Sequence, residues 1–391
     1  MCTLSDTARR DPMDAREKDV STSEARVPRR VFLKYALAAG GAALGGYLGW
    51  TQLRPSPPPP SGCNHTPGQA LAVQGEHVSI TGVRKDGIPP IDHPRFVTAE
   101  EAASFVADRD LVFGLAAGET GLAFPQRILV WHEIANVVLE GAPVAVTYCP
   151  LTGSQVAYRP VTGSATPTFG TTGRLVNSNL LMYDRATDSR WPQIFGHAIE
   201  GTQRGRRLEG VPLTWTTWER WRSRHPETEV LSTDTGFVRN YQGDPYGSYD
   251  PLRGYYADRH IRFNLACWDG RFHPKRPFIG LSRGNDAAAV DLELLRVQRV
   301  RNVVLAGQPV VFLHDEGLDA PRAFLALSEA GPLRFAWDGG VRDAEMGSRW
   351  SPDGVALGGP LRGTRLEELP AMHAMWFAWA AFYPWSQVHA A

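Results

Sequence analysis

Cys149-Pro150-Leu151-Thr152 is the segment whose residue types and spacing come closest to a reactive site. It follows the apolar run 144–148, which reads as a strand, and so falls on the turn after it. A turn with free amide N–H groups can stabilise a thiolate, and the Thr152 hydroxyl could donate to it. The C-x-x-T spacing is that of a thiol-redox motif with its resolving cysteine replaced. The same residues read equally well as a buried, inert cysteine on a hairpin. His132 and Glu133, at the end of an expected short helix, would add a base and a group to orient it. Helical neighbours do not face the same way, so at most one of this pair points inward, and a lone helical His is commonly a satisfied structural residue. His197 supplies another imidazole. Cys149, Thr152 and His132 are therefore the catalytic candidates. Cys149 with His132 and His197 would form a soft N/S site suited to a copper or zinc ion. A further cluster, Asp234-Thr235-Gly236-Phe237, Arg239, Tyr241 and Asp244-Pro245-Tyr246, could line a pocket, but is expected to brace a crossover.

The elements that must position these residues recur along the chain. Ser189-Arg190-Trp191 matches Ser348-Arg349-Trp350, and Gly201, Gly205, Trp218 and Trp221 match Gly359, Gly363, Trp376 and Trp379. Gly114 pairs with Gly280, and Asn136-Val137-Val138-Leu139 with Asn302-Val303-Val304-Leu305. Two tandem copies of one module are expected, about 100–240 and 277–389, joined by residues 241–276. Each reads as a strand ending near Gly114, a helix from Pro125 through Ile134, strands over 143–148 and 155–159 around a Gly153 turn, and a helix over 215–225 ending before Pro226. The class is α+β, β-rich, with the second copy degenerate. In that register Trp131-His132-Glu133 becomes Val297-Gln298-Arg299, Cys149 becomes Asp315, Thr152 becomes Leu318 and His197 becomes Val355. Fold-forming Gly, Pro and Trp persist while titratable groups do not. The first copy is thus expected to hold the activity and the second to be scaffold; neutral drift between copies is the alternative.

Composition bounds the partners. The 391 residues include 41 basic and 41 acidic side chains, so nothing favours nucleic acid. Four cysteines without paired C-x-x-C motifs make neither a disulfide-dense scaffold nor a zinc ribbon. Residues 1–28 are polar and are expected to be a disordered cytoplasmic tail. Arg29-Arg30-Val31-Phe32-Leu33-Lys34 and the Ala/Gly-rich apolar run to Trp50 then read as a twin-arginine signal, with a plain anchor as the alternative. No clean A-x-A site follows, and the apolar run is close to the ~20 residues that span a bilayer, so an uncleaved anchor is a second expectation. Residues 51–88 form a Pro-rich linker, 89–240 the first module and 277–391 the second. The expected partners are the cytoplasmic membrane and the twin-arginine translocase. The expected location is periplasmic, or the outer face of that membrane.

The stretches RILVWHEIANVVLEGAPVAVTYCPLTGSQVAYR, NSNLLMYDRATDSRW, DTGFVRNYQGDPYGSY and MWFAWAAFYP, in that order, resemble the domain-of-unknown-function family 3179 from about Pro89 onward. The resemblance brings no established activity. In the family Cys commonly stands at the place of Thr152, and some members use selenocysteine in the motif, which implies redox or metal chemistry at Cys149. Thr152 departs from that pattern. It tells against a dithiol–disulfide cycle within the motif and leaves a one-cysteine mechanism or a ligand role. Three functions are therefore expected in turn: an exported thiol-dependent redox protein, such as a thiol oxidoreductase; a metal-binding or metal-handling protein; and a noncatalytic binding module whose lobes form a cleft. The substrate is left open.

Overall fold

Runs rich in Val, Thr and aromatic residues fold as short strands, because branched and planar side chains suit a pleated, half-buried surface. The computed structural model describes residues 62–117, 120–160 and 168–390. The expectations for the tail, the signal and the linker up to residue 61 lie outside the described residues. The architecture is β-rich α+β: small sheets carry the mass, and the described helices run from four to ten residues. No helix of the described residues is long and apolar enough to cross a membrane.

Three sheets make the first lobe. One has the order Thr214–Thr217, Leu111–Ala117, Thr120–Pro125, Glu229–Leu231, Phe96–Thr98, with Glu229–Leu231 parallel to Thr120–Pro125. The next has the order Glu209–Val211, Ser154–Arg159, Ala142–Cys149, Ile134–Leu139. The last joins Val78–Ile80, Phe169–Val176, Asn179–Asp184 and Arg190–Pro192. Beyond the connector, Met372–Met375, Pro277–Arg283, Asp286–Asp291 and Gln387–His389 follow the order of the first sheet, and Val300–Leu305, Gln308–Asp315, Ala320–Leu325 and Glu368–Leu369 that of the second.

The side-chain locks also correspond. A Cβ on Gly114 would sit 2.2 Å from the Trp221 ring, and one on Gly280 2.1 Å from Trp379, so only glycine lets each indole lie on its strand. Trp191 and Trp350 donate Nε1–H to Asp184 and Asp343 at 3.0 and 2.9 Å. Asn136 clamps the N–H and C=O of Phe169, as Asn302 clamps those of Phe335.

Two elements differ from expectation. The helix expected from Pro125 to Ile134 covers only Gln126–Leu129. Glu133 then turns at φ +60° and β-branched Ile134, Val137 and Val138 start a strand. The helix expected over 215–225 is Trp218–Arg224, preceded by the Thr-rich strand Thr214–Thr217. The lobes are not separate bodies, since the described residues fall in one compact unit. The strand Met372–Met375 lies against the Cys149 hairpin: Met375 N donates to Thr152 O at 2.8 Å, and His373 N to Gln155 Oε1 at 3.1 Å.

Candidate functional site

Cys149 ends its strand opposite Ser154, and the intervening turn closes at Gly153 with φ +52°. The turn is covered on every side described. Tyr255 of the connector donates to the Leu151 carbonyl at 2.7 Å, Met375 holds the Thr152 carbonyl, and Asn179 Nδ2 donates to the Thr152 hydroxyl at 3.0 Å. Cys149 itself is 0% exposed, and its Sγ donates only a long contact, 3.8 Å, to the Ser178 carbonyl.

The thiol is pushed up to about 11, first by burial and then by the neighbouring Glu133 charge; Thr152 and the Leu180 amide pull the other way and do not win. At neutral pH the group is a thiol, and thiolate chemistry is suppressed in this conformation. Glu133 is 4% exposed, and burial raises its carboxyl to about 8. Its left-handed backbone is not peculiar to the site, because Arg299 holds φ +67° at the matching helix end of the second lobe.

Thr152 belongs to a closed polar network rather than to a free donor array. Thr152 and Ser154 hydroxyls lie 2.8 Å apart, Ser154 donates to Gln193 Oε1 at 2.6 Å, and Gln193 Nε2 donates to Thr147 Oγ1 at 3.0 Å. Asn179 Nδ2 also reaches Gln193 Oε1 at 2.8 Å. All five residues are buried. Asn179 and Gln193 were not singled out by sequence reasoning. The available signal was their setting: at the register that turns Thr152 into Leu318, Ser154 becomes Ala320, so the second lobe is apolar there.

The two histidines do not join Cys149. His132 is buried; its Nδ1–H donates to the Pro89 carbonyl at 2.7 Å, and Nε2 accepts from Tyr241 Oη at 2.6 Å. Burial lowers it to about 4, with the Arg239 charge acting the same way against the Pro89 bond, so the ring is neutral and both nitrogens are occupied. His197 packs on Phe195 and has Nδ1 3.5 Å from the Gly205 carbonyl. Among the described residues no group of three or more His, Cys, Asp or Glu is placed to hold a metal ion. The cluster around residues 234–246 braces, as expected. Tyr241 links His132 to Thr235, while Asp244 accepts from Gln126 and Tyr256, each at 2.7 Å.

An open cavity of about 190 Å³ lies instead where the lobes meet. Trp215, Thr217 and Arg220 line it from one lobe, and His314, Asp319 and His373 from the other. Trp215 stacks on His373 with centroids 5.0 Å apart and planes at 22°. Burial lowers His373 to about 3, so this imidazole is neutral. Asp319 is shared between His314 at 3.3 Å and Arg296 at 3.1 Å. Arg220 spends one nitrogen on the carbonyls of Glu316 and Gly317.

The family model described as protein of unknown function (DUF3179) matches residues 85–386. The chain belongs to this family. The family match spans both lobes and the connector, so the hairpin of Cys149, the polar network and the inter-lobe cavity all fall inside it. No curated protein and no solved structure matches the chain.

Proposed function

We propose that this chain is a noncatalytic binding module, exported to the outer face of the cytoplasmic membrane, that takes a small molecule in the cavity between its lobes. One observation carries the reading: the solvent-open cavity is lined by both lobes, whereas the cysteine that could do chemistry is sealed. Binding sites favour such junctions, where apolar and aromatic walls meet a few polar groups. The second lobe, inferred to be a degenerate duplicate of the first, then has a role that scaffold alone does not give it: it supplies half of the site. Export is supported by the Cys63–Cys267 disulfide, since such bonds persist in oxidising compartments.

The test is a fragment screen by ligand-observed NMR on the wild-type chain and on Leu292→Trp, which would fill the cavity from its wall. Fragments that bind the wild type and not the variant support the reading. Absence of binders, or binding indifferent to the variant, overturns it. A second reading, a one-cysteine redox protein, is favoured by the polar network that surrounds the Cys149 turn in the first lobe alone. It needs that thiol to label with iodoacetamide in the folded protein.

A further inference from the structure

Cys149 is shut in by a turn that two distant segments hold in place. The turn is Asn177-Ser178, both residues left-handed at φ +52° and +62°, and its Ser178 carbonyl sits on the Cys149 sulfur. From one side comes the helix Pro67–Glu76, whose buried Gln74 accepts from Asn177 Nδ2 at 2.6 Å and donates to the Ala381 carbonyl at 3.1 Å. From the other comes the connector stretch 257–276, which contains no regular strand or helix. There Ala266 N donates to Asn177 Oδ1 at 2.7 Å, and the Phe263 carbonyl accepts from Ser178 Oγ at 3.1 Å. Asn177 is thus gripped by both arms through its two side-chain atoms. Cys63 precedes the helix, Cys267 follows Ala266, and the two are joined by a disulfide 204 residues apart in sequence. The bond closes a clasp over the turn that seals the thiol.

We propose that the Cys63–Cys267 disulfide is a redox latch that controls access to Cys149. An external dithiol reductant opens it. The S–S bond breaks, two electrons and two protons go to Cys63 and Cys267 as thiols, and the two thiols of the reductant become a disulfide. The reductant can reach the bond because Cys63 is partly exposed, although Cys267 is buried. Without the covalent link, residues 263–266 touch the turn through the Ala266 and Ser178 hydrogen bonds, and lie between two anchors, Arg262 over the Tyr255 ring and the Asp269 carbonyl, which accepts from Trp376 Nε1. A short irregular segment between two anchors can open locally while the rest of the body stays folded. When the connector lifts, Asn177 loses one of its grips, Ser178 loses its hydroxyl contact, and the route to Cys149 opens. The rest of the connector stays seated, because the Pro274 and Arg276 carbonyls accept from the first amides of the helix Trp376–Phe382 and the Asp269 carbonyl from Trp376 Nε1.

The experiment measures the rate at which iodoacetamide alkylates Cys149, read by peptide mass spectrometry. It compares oxidised full-length chain, the same chain reduced with a phosphine, and the Cys63→Ser/Cys267→Ser double variant, with near-UV circular dichroism recorded on each. The expected result is at least a tenfold faster labelling in the reduced chain and the double variant, with the near-UV signal retained. Labelling that stays slow while the reduced chain remains folded overturns the proposal. So does labelling that rises only as the near-UV signal is lost, which would make the bond a global staple. Should the double variant fail to fold, Asn177→Gly decides. It keeps the left-handed backbone and the disulfide but removes both grips: faster labelling supports the latch, and an unchanged rate overturns it.

Discussion

Glu133→Gln isolates the cost of keeping a carboxyl beside the sealed thiol. Burial raises the Glu133 carboxyl from 4.5 to about 8. Between those values the unfolded chain has released a proton that the folded chain retains, so raising the pH favours unfolding. Below pH 4.5 both states carry the proton, and above pH 8 both have lost it, so the cost begins at the first value and levels off at the second. At about 1.4 kcal/mol for each pH unit, the folded state gives up about 3 kcal/mol by pH 7 and about 5 kcal/mol by pH 8. The glutamine has nearly the same volume and no charge to lose. Urea unfolding of both oxidised proteins should therefore give equal stabilities at pH 4.5 and a gap that widens with pH, the variant being more stable by about 3 kcal/mol at pH 7. A gap that does not change with pH, or a variant weaker by a constant amount, would refute the argument that burial holds that carboxyl protonated.

The matched glycines offer a second check. Gly114→Ala and Gly280→Ala would each drive a methyl group into a tryptophan ring, at 2.2 and 2.1 Å; both should lower stability by about 1–3 kcal/mol or more in thermal unfolding, and by similar amounts. Removing the Cys63–Cys267 link frees a 204-residue loop in the unfolded chain; on the chain-entropy argument the double serine variant should lose up to about 5 kcal/mol, read from its denaturant midpoint against the oxidised wild type.

Much of the framework could be read from residues that recur. The Gly114 and Gly280 positions were matched in sequence with the tryptophans 107 and 99 residues beyond them, and in the fold each glycine carries the ring of its tryptophan. The Cys149 hairpin was legible from strand patterning around Gly153. The fate of Cys149 was not. Its burial depends on Ser178, Tyr255 and Met375, which come from another sheet, the connector and the second lobe, and no local pattern encodes such convergence. For His132 the structural reading was open from the start, but its partners, the Pro89 carbonyl and Tyr241, come from segments that no local pattern links to it. The pairing of Cys63 with Cys267 was equally invisible, since a separation of 204 residues carries no spacing signal.

The disulfide also decides how the protein bears force. Cys63 lies just after the Pro-rich stretch in the sequence. Tension arriving along the chain from its N-terminal side meets the covalent bond to Cys267 before it meets the three-residue strand Val78–Ile80, whose few hydrogen bonds to Phe169–Val176 would otherwise peel apart one after another. The load passes into the connector between the lobes, and the edge of the sheet is spared. A body joined in this way can bear a pull from its N-terminal side while its first strand stays seated.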